Sequence, residues 1–190
     1  YIPEIKRLIQ TTWNTKYLKV DHHGVLRKSN AHGVGWRHTD GIGTKGEDHW
    51  RKRTFQAAVQ DALANSLNDC ARDRAIPLEI CNHIFIPTDD HEAVVSIVSY
   101  LADECRIRDI AITSGETAIH EGSNGLEISI TMLGIKRSLE ANQFRDGDIL
   151  IGIGSSGAHS NGFTRIHSMY DDWESLPDDI TTPTLNYYDC

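Results

Sequence analysis

Residues 39–45 read TDGIGTK and place a carboxylate, two glycines, a hydroxyl and an ammonium group in one short turn. The Asp40 carboxylate suits Mg²⁺, while glycine amides and the Lys45 ammonium suit phosphate oxygens. The spacing of a Walker A loop is absent, and D-G-x-G sequences are also common in ordinary turns. By itself the segment leaves a phosphate site and a plain turn both open.

Two other segments offer polar groups for such a site. Asn68 and Asp69 end an amphipathic helix, and Asp69 projects off its apolar stripe, so it is either a solvated carboxylate or a second ligand beside Asp40. If the two carboxylates converge, waters and substrate phosphates would complete the oxygen shell that Mg²⁺ prefers. Glu116 follows a short apolar run and is a candidate third oxygen ligand or nucleotide contact.

Residues 147–162, GDILIGIGSSGAHSNG, pass from an apolar run into a turn of small and hydrogen-bonding residues. Such a turn at the start of a helix binds anions, and it is also typical of an ordinary glycine turn with an N-cap. His159 is a candidate for proton transfer because imidazole titrates near neutrality. A structural hydrogen bond within the turn is the alternative for this histidine.

Hydrophobic periodicity predicts the elements that position these segments. Apolar residues repeat at three and four in residues 54–70 and 94–105, which indicates two amphipathic helices, the second capped by Thr88 with Asp89 and Asp90 in its first turn. A third helix is expected to begin near Asn161. Strand character marks residues 17–27, 33–38, 78–86, 109–113, 126–135 and 149–153, of which the last is apolar enough for burial on both faces.

Composition narrows the class of protein. The chain has 190 residues, 39% of them hydrophobic and 24% charged, which fits a soluble globular protein of one domain. It shows no apolar run of membrane-spanning length and no signal peptide, so the expected location is the cytoplasm. A formal charge of -8 disfavours a general nucleic-acid binder, so a phosphate ligand would need local donors or a metal ion.

Cysteine and histidine spacing gives little support to a second kind of metal site. The four cysteines form no CxxC pair, which favours buried thiols over a disulfide or zinc framework. Histidine pairs at helical HxxxH or HExxH spacing are absent, so most of the ten histidines are expected in turns or on the surface, with a metal hydrolase as a minor alternative. The first fifty residues hold five of them: His22, His23, His32, His38 and His49.

Four segments, in this order, resemble the signature motifs of the aminoimidazole ribonucleotide synthetase family, also called phosphoribosylformylglycinamidine cyclo-ligases. They are TDGIGTK at 39–45, LNDCARDRAIP at 67–77, SGETA at 114–118 and GDILIGIGSSGAHSNG at 147–162. The resemblance covers roughly residues 33–189 and is to the family's N-terminal domain. It implies an α+β fold in which a mixed sheet is packed by helices and pairs with a second copy into a homodimeric barrel, which would also cover open strand edges.

The same resemblance implies an ATP-dependent closure of the imidazole ring in purine biosynthesis. ATP and Mg²⁺ would be the cofactors and formylglycinamidine ribonucleotide the substrate. Carried over by position, Asp40 and Asp69 would be the metal ligands, and Lys45 and His159 the catalytic candidates. Nucleotide or substrate contacts would be Asp40, Gly41, Gly43, Thr44, Lys45, Asn68, Asp69, Gly115, Glu116, Ser155, Ser156, Gly157, Ser160 and Asn161.

Departures from the family pattern keep other functions open. Arg74 replaces a glycine whose left-handed backbone would cost about 1 kcal/mol with a side chain, and Ser114 replaces the first glycine of GGETA. Members of the family continue with a second α/β domain, so this chain is either a fragment or a short relative that depends on a separate chain for that domain. The expected division is an extension with the first strand at 1–32, an ATP-binding domain at 33–169, and a linker or start of the second domain at 170–190.

Two alternatives to a cyclo-ligase follow. One is a non-catalytic dimerisation or nucleotide-binding module derived from the fold, favoured by these departures. The other is a further ATP-using branch of the superfamily, such as a thiamin monophosphate kinase, a selenophosphate synthetase or a hydrogenase maturation protein. The SSGAHSNG sequence of residues 155–162 speaks against this last group, because it most resembles the cyclo-ligase and its amidotransferase relative.

Overall fold

The computed structural model describes residues 1–21, 27–140 and 143–190. Its N-terminal part consists of helix α1 (Ile2–Gln10) and the antiparallel strands β1 (Leu18–Val20) and β2 (Arg27–Ser29). The strand predicted at 17–27 corresponds to these two short strands, and its middle lies outside the described residues. His22 and His23 of the histidine-rich segment also fall outside them.

A four-stranded mixed sheet forms the centre of the molecule. Its order is β3-β6-β4-β5, with β4 and β5 parallel and the other neighbours antiparallel. Helices pack on this sheet, so the α+β class with a mixed sheet is confirmed. The bounds are β3 Val34–Gly41, α2 Lys45–Lys52, α3 Phe55–Arg72, β4 Ala75–Ile86, α4 His91–Ile107, β5 Ala111–Ile119 and β6 Glu127–Lys136.

The hydrophobic core lies between one face of the sheet and helices α3 and α4. Strand β6 alternates as its sequence predicts: Ile128, Ile130 and Met132 are fully buried, while Ser129 and Thr131 are only partly buried on the opposite face. Burial of each large apolar side chain stabilises the fold by roughly 1.5–3 kcal/mol. Polar residues therefore line the sheet face that the helices leave uncovered.

Several predicted boundaries need correction. Helix α4 is capped by Asp90 and not by Thr88, because the Asp90 carboxylate accepts a 2.9 Å hydrogen bond from the amide of Ala93. That hydrogen bond lowers the pKa of Asp90. The SGETA segment, predicted to follow the strand at 109–113, is part of β5. Parallel pairing with β4 extends this strand to Ile119. The short helices α1 and α2 were missed.

The strand predicted at 149–153 is wrong for the described chain. Ile149, Leu150 and Ile151 are 86%, 86% and 85% exposed, and no strand is assigned there. An apolar run shows which side chains favour burial, but a strand also needs a neighbour to pair with, and the described residues supply none. The following helix, α5 (Phe163–His167), begins two residues after Asn161, close to its predicted start, and is only 5 residues long. Three short 3-10 turns complete the chain: Trp173–Ser175, Asp178–Thr181 and Tyr187–Asp189.

The left-handed backbone expected at Arg74 is present, with φ at 53° directly after α3. Ser114 lies within β5. Among the described helices, none combines the length and apolar character needed to cross a membrane.

Candidate functional site

Strand β3 and helix α3 bring two of the predicted carboxylates together. Two contacts clamp the strand to the helix: Asn65 donates to the carbonyl of Gly41 at 3.0 Å, and Trp36 Nε1 donates to Asp73 Oδ2 at 2.8 Å. Between these clamps, ligand atoms of Asp40, Asp69 and His38 all lie within 4.8 Å of one another. The convergence of Asp40 and Asp69 is thus present, and a histidine accompanies it.

The contacts of this cluster use both oxygens of Asp69 and leave one oxygen of Asp40 without a hydrogen-bond partner among the described residues. Asp69 Oδ2 lies 2.8 Å from His38 Nε2, and Asp69 Oδ1 lies 2.5 Å from Arg72 Nη1. Asp40 is exposed, and its Oδ1 accepts a 2.7 Å hydrogen bond from the amide of Gly41. Two carboxylates with solvent beside them suit a divalent cation that retains waters or takes up phosphate oxygens.

The turn after β3 is shaped for a tight exit from the strand. Gly43 has φ of +55°, a conformation that favours glycine, and Thr44 begins α2 as its N-cap. The Thr44 hydroxyl lies 2.9 Å from the hydroxyl of Thr164 in helix α5. Gly43 and Thr44 line a shallow depression of about 310 Å³.

Lys45 lies in a buried ionic cluster and not beside Asp40. Its Nζ is 2.8 Å from Asp61 Oδ2 and donates to the carbonyl of Thr182 at 2.6 Å. The side chains of Lys45 and Asp61 are both fully buried. His49 Nε2 lies 2.7 Å from the same Asp61 oxygen, and Thr184 donates its amide and hydroxyl to Asp61 Oδ1. Burial alone would raise the pKa of Asp61, but hydrogen bonds from His49, Lys45 and Thr184 together with the Lys45 charge lower it overall. A phosphate contact by Lys45 would require it to leave this cluster.

Asn68 holds the C-terminal segment against α3. Its Nδ2 donates to the carbonyl of Leu185 at 2.9 Å, and its Oδ1 accepts from the amide of Tyr187 at 2.7 Å. Both polar ends of the amide are therefore used within the protein. The predicted role of Asn68 at a nucleotide site remains a prediction.

Glu116 and Gly115 lie on β5, away from the carboxylate pair. Glu116 is opposite His83 in the register with β4, on the uncovered face of the sheet. A depression of about 390 Å³ there is lined by both residues together with Thr39, His83 and Thr131. A Cβ atom on Gly115 would lie 2.5 Å from Asn82 Oδ1, so a side chain there would require Asn82 to move.

The serine-rich loop is fastened to the C-terminal segment. Ser156 donates its hydroxyl to the carbonyl of Pro183 at 2.6 Å, and the Ser160 and Thr184 hydroxyls lie 3.0 Å apart. His159 Nε2 accepts a 3.3 Å hydrogen bond from the amide of Ser156, which matches the structural alternative considered for this histidine. Of the remaining predicted residues, Ser155 bonds the carbonyl of Gly157, and Asn161 is exposed. No hydrogen bond joins this loop to Asp40 or Asp69 in the described ranges.

Sequence reasoning missed two residues. His38 was overlooked because histidine pairs were sought at helical spacing, whereas His38 and Asp40 alternate along a strand and so share one face. Asp61 lies within the helix predicted at 54–70, next to Ala58 and Ala62 of its buried face. A carboxylate in that position needs charged or hydrogen-bonding partners, and this signal could have identified Asp61.

Comparisons with known proteins agree with the motifs. A family model described as AIR synthase related protein, N-terminal domain, matches residues 21–136. The phosphoribosylformylglycinamidine cyclo-ligase of Saccharolobus solfataricus is 25% identical over 183 residues, which is 95% of this chain and 56% of that protein. The Clostridium botulinum (Type A) enzyme of the same name is 30% identical over 161 residues, 78% of this chain and 49% of that protein. The chain spans about half the length of these relatives.

Solved structures show the same fold at lower identity. A hydrogenase maturation protein, HypE, has a TM-score of 0.52 at 16% identity, covering 72% of this chain and 41% of that one. A thiamine-monophosphate kinase from Stenotrophomonas maltophilia has a TM-score of 0.51 at 16% identity, covering 67% and 40%. These similarities establish a common fold for the sheet and its helices.

Proposed function

Because the chain belongs to the AIR synthase related protein family, we propose that it forms the N-terminal, ATP-binding half of a phosphoribosylformylglycinamidine cyclo-ligase of purine biosynthesis. The observation that carries the proposal is the convergence of Asp40 and Asp69 from two separate signature motifs. In the proposed reaction the formyl amide oxygen of formylglycinamidine ribonucleotide attacks the γ-phosphorus of ATP, releasing ADP. An internal nitrogen then displaces phosphate and closes the imidazole ring.

The proposal assigns roles to two carboxylates and one loop of this chain. Asp40 and Asp69 would hold a divalent cation, which when bound neutralises charge on the phosphoryl group. Arg72 holds one Asp69 oxygen and leaves the other directed towards His38. The loop at 155–161 would contact substrate or phosphate, and its attachment to Pro183 and Thr184 supports a fixed position for it.

A titration with Mg·ATP tests the proposal. Wild type should bind saturably, Asp69→Ala should bind at least about 10-fold more weakly, and Asp103→Ala, an exposed carboxylate on α4, should match wild type. An ADP-release assay with formylglycinamidine ribonucleotide then separates binding from turnover. Absence of saturable binding by wild type would contradict the proposal.

A non-catalytic nucleotide-binding or dimerisation module is the second candidate, favoured by one observation. Lys45, the predicted phosphate contact and catalytic residue, is fully buried against Asp61. Binding of Mg·ATP without ADP release, even when the C-terminal half of the Saccharolobus solfataricus relative is added, would favour the module.

We also propose a homodimer that pairs through the uncovered sheet face and the edge strand β3. Helices α3 and α4 cover the opposite face, and the open face presents Thr39, Ser129 and Thr131 to a partner. Sedimentation velocity should show a dimer for wild type and a monomer for Ser129→Arg. A monomeric wild type would rule the arrangement out.

The exposed apolar residues 149–153 are the proposed contact for a second domain, supplied by a longer protein or a separate chain. Their exposure, near 85% for Ile149, Leu150 and Ile151, would otherwise leave apolar surface in water. The chain should therefore bind a hydrophobic dye such as ANS, and the C-terminal half of the Saccharolobus solfataricus relative should lower the fluorescence. Unchanged fluorescence would argue against this contact.

A further inference from the structure

A histidine completes the carboxylate pair as a three-residue donor set. His38 and Asp40 alternate on β3 and face Asp69 at the end of α3, and donor atoms of all three lie within 4.8 Å. Within residues 1–21, 27–140 and 143–190, no other group of three or more histidine, cysteine or acidic residues has the spacing of metal ligands. The donor set therefore contains nitrogen as well as oxygen.

Contacts around the three side chains hold them in place without using all their donor atoms. Arg72 takes one oxygen of Asp69, the other lies 2.8 Å from His38 Nε2, and the Gly41 amide takes one oxygen of Asp40. His38 Nδ1 is buried and has no hydrogen-bond partner among the described residues. Outer contacts of this kind orient metal ligands and leave the remaining atoms for an ion.

The imidazole changes which ion the site favours. Mg²⁺ prefers an all-oxygen octahedral shell and gains little from nitrogen, whereas Mn²⁺, Co²⁺ and Zn²⁺ accept imidazole together with carboxylates. Bonds of about 2.1 Å place two ligands at most about 4 Å apart, so three donor atoms that lie within 4.8 Å of one another need only a small shift to share one ion.

We propose that His38, Asp40 and Asp69 bind a divalent transition-metal ion, such as Co²⁺ or Zn²⁺, in preference to Mg²⁺. The inference rests on the cation site of the proposed function and names the class of ion that this site takes. Three protein ligands leave the other coordination positions for water or phosphate oxygens.

Metal binding is measured directly on the full chain. Protein freed of metal with a chelator is titrated with Zn²⁺ and Mg²⁺ by calorimetry, and with Co²⁺ by visible absorption, which reports the coordination geometry and ligand field of the bound ion. Wild type should bind Zn²⁺ and Co²⁺ at least about 10-fold more tightly than Mg²⁺. Equal affinity for Zn²⁺ and Mg²⁺ would overturn the proposal.

Two matched variants distinguish this site from other histidines of the chain. His38→Asp makes the site all-oxygen, so Co²⁺ affinity should fall at least about 10-fold while Mg²⁺ affinity is kept or raised. His32→Asp replaces an exposed histidine before β3 and should bind both ions as wild type does. Circular dichroism and the urea midpoint verify that both variants fold. Unchanged Co²⁺ binding by His38→Asp, or an equal loss in both variants, would refute the assignment.

The outcome is separable from that of the proposed function. Failure to bind ATP, with the preference for Zn²⁺ and its dependence on His38 intact, would remove the cyclo-ligase proposal and support the metal site. Binding of Mg·ATP with no preference for transition metals would overturn the metal assignment and leave the nucleotide proposal standing.

Discussion

Two aspartates on helix α3 have similar partners in different surroundings. Asp61 pairs with Lys45 and His49 and is fully buried. Asp69 pairs with Arg72 and His38, and 22% of its side chain is exposed. Each carboxylate thus has one cation and one histidine, and burial is what separates them.

The difference shows how burial assigns roles to similar residue types. Asp61 also accepts two hydrogen bonds from Thr184, so its oxygens are fully used and a ligand could reach them only by opening the fold. Asp69 stands beside the exposed Asp40 and can exchange partners at little cost. We therefore regard the Asp61 cluster as a structural joint between α2, α3 and the C-terminal segment, and the Asp69 cluster as the chemical site.

Removal of each carboxylate in turn should give the largest difference between the two clusters. Asp61→Ala leaves Lys45 as a buried charge without its partner and should lower the free energy of unfolding by about 3–5 kcal/mol. Asp69→Ala should lower it by less than about 1 kcal/mol, because this pair is partly exposed. Urea unfolding followed by circular dichroism measures both. Equal losses would show that burial does not separate the two clusters.

A smaller change sharpens the structural role of the Asp61 cluster. Thr184→Val removes the hydroxyl that donates to Asp61 at 2.6 Å, which should cost about 1.5–3 kcal/mol. Because that segment also holds the loop through Ser160, limited proteolysis should cleave residues 182–187 faster than in wild type. Thr164→Val, which removes a hydroxyl pair near the surface, is the matched control. An unchanged rate of cleavage would show that the Thr184 hydroxyl does not hold residues 182–187 in place.

The pH dependence of stability should follow the Asp61 cluster. The folded-state pKa of Asp61 lies below its usual value of 3.8, so the ionised group stabilises the fold above that value. The contribution is lost as the pH falls from about 4 towards the folded-state pKa. Wild type should therefore lose stability as the pH falls below about 4 more steeply than Asp61→Asn does. Parallel curves for the free energy of unfolding against pH would contradict this.

The smallest expected effect is a gain of stability where α3 ends, close to Asp69. Arg74 has φ of 53°, so Arg74→Gly should raise the free energy of unfolding by about 1 kcal/mol by relieving left-handed strain. Arg72→Gly, inside the last turn of the helix, should lower it instead. The midpoint of thermal unfolding compares the two. A decrease for Arg74→Gly would mean that contacts of the arginine outweigh its backbone strain.

Much of the fold could be predicted from periodicity and end signals. The pattern at 54–70 matches α3, and alternation at 126–135 matches β6, because each pattern reports which face of an element avoids water. The left-handed backbone at Arg74 was also predictable from the motif that it interrupts. The strand predicted at 149–153 is wrong because an apolar pattern indicates a need for burial without indicating whether a neighbouring strand is present.

The candidate site was predictable only in part. Motif order singled out Asp40 and Asp69, and it also grouped Lys45, Glu116 and the serine loop with them. The structure instead buries Lys45 against Asp61 and places Glu116 on the open sheet face. Spacing along the chain does not record which side of a sheet a residue occupies once register and helix packing are set.

The family, the mixed α+β fold and the two carboxylates were all predictable from the sequence, because they depend on local periodicity and on motifs that lie within short segments. Folding brings Asp69 close to His38 and Asp40, and it encloses Asp61 among Lys45, His49 and Thr184. These surroundings could not be predicted, because a carboxylate's role depends on its exposure and on partners from distant segments. Only the packing of β3 and the C-terminal segment against α3 brings those partners into contact.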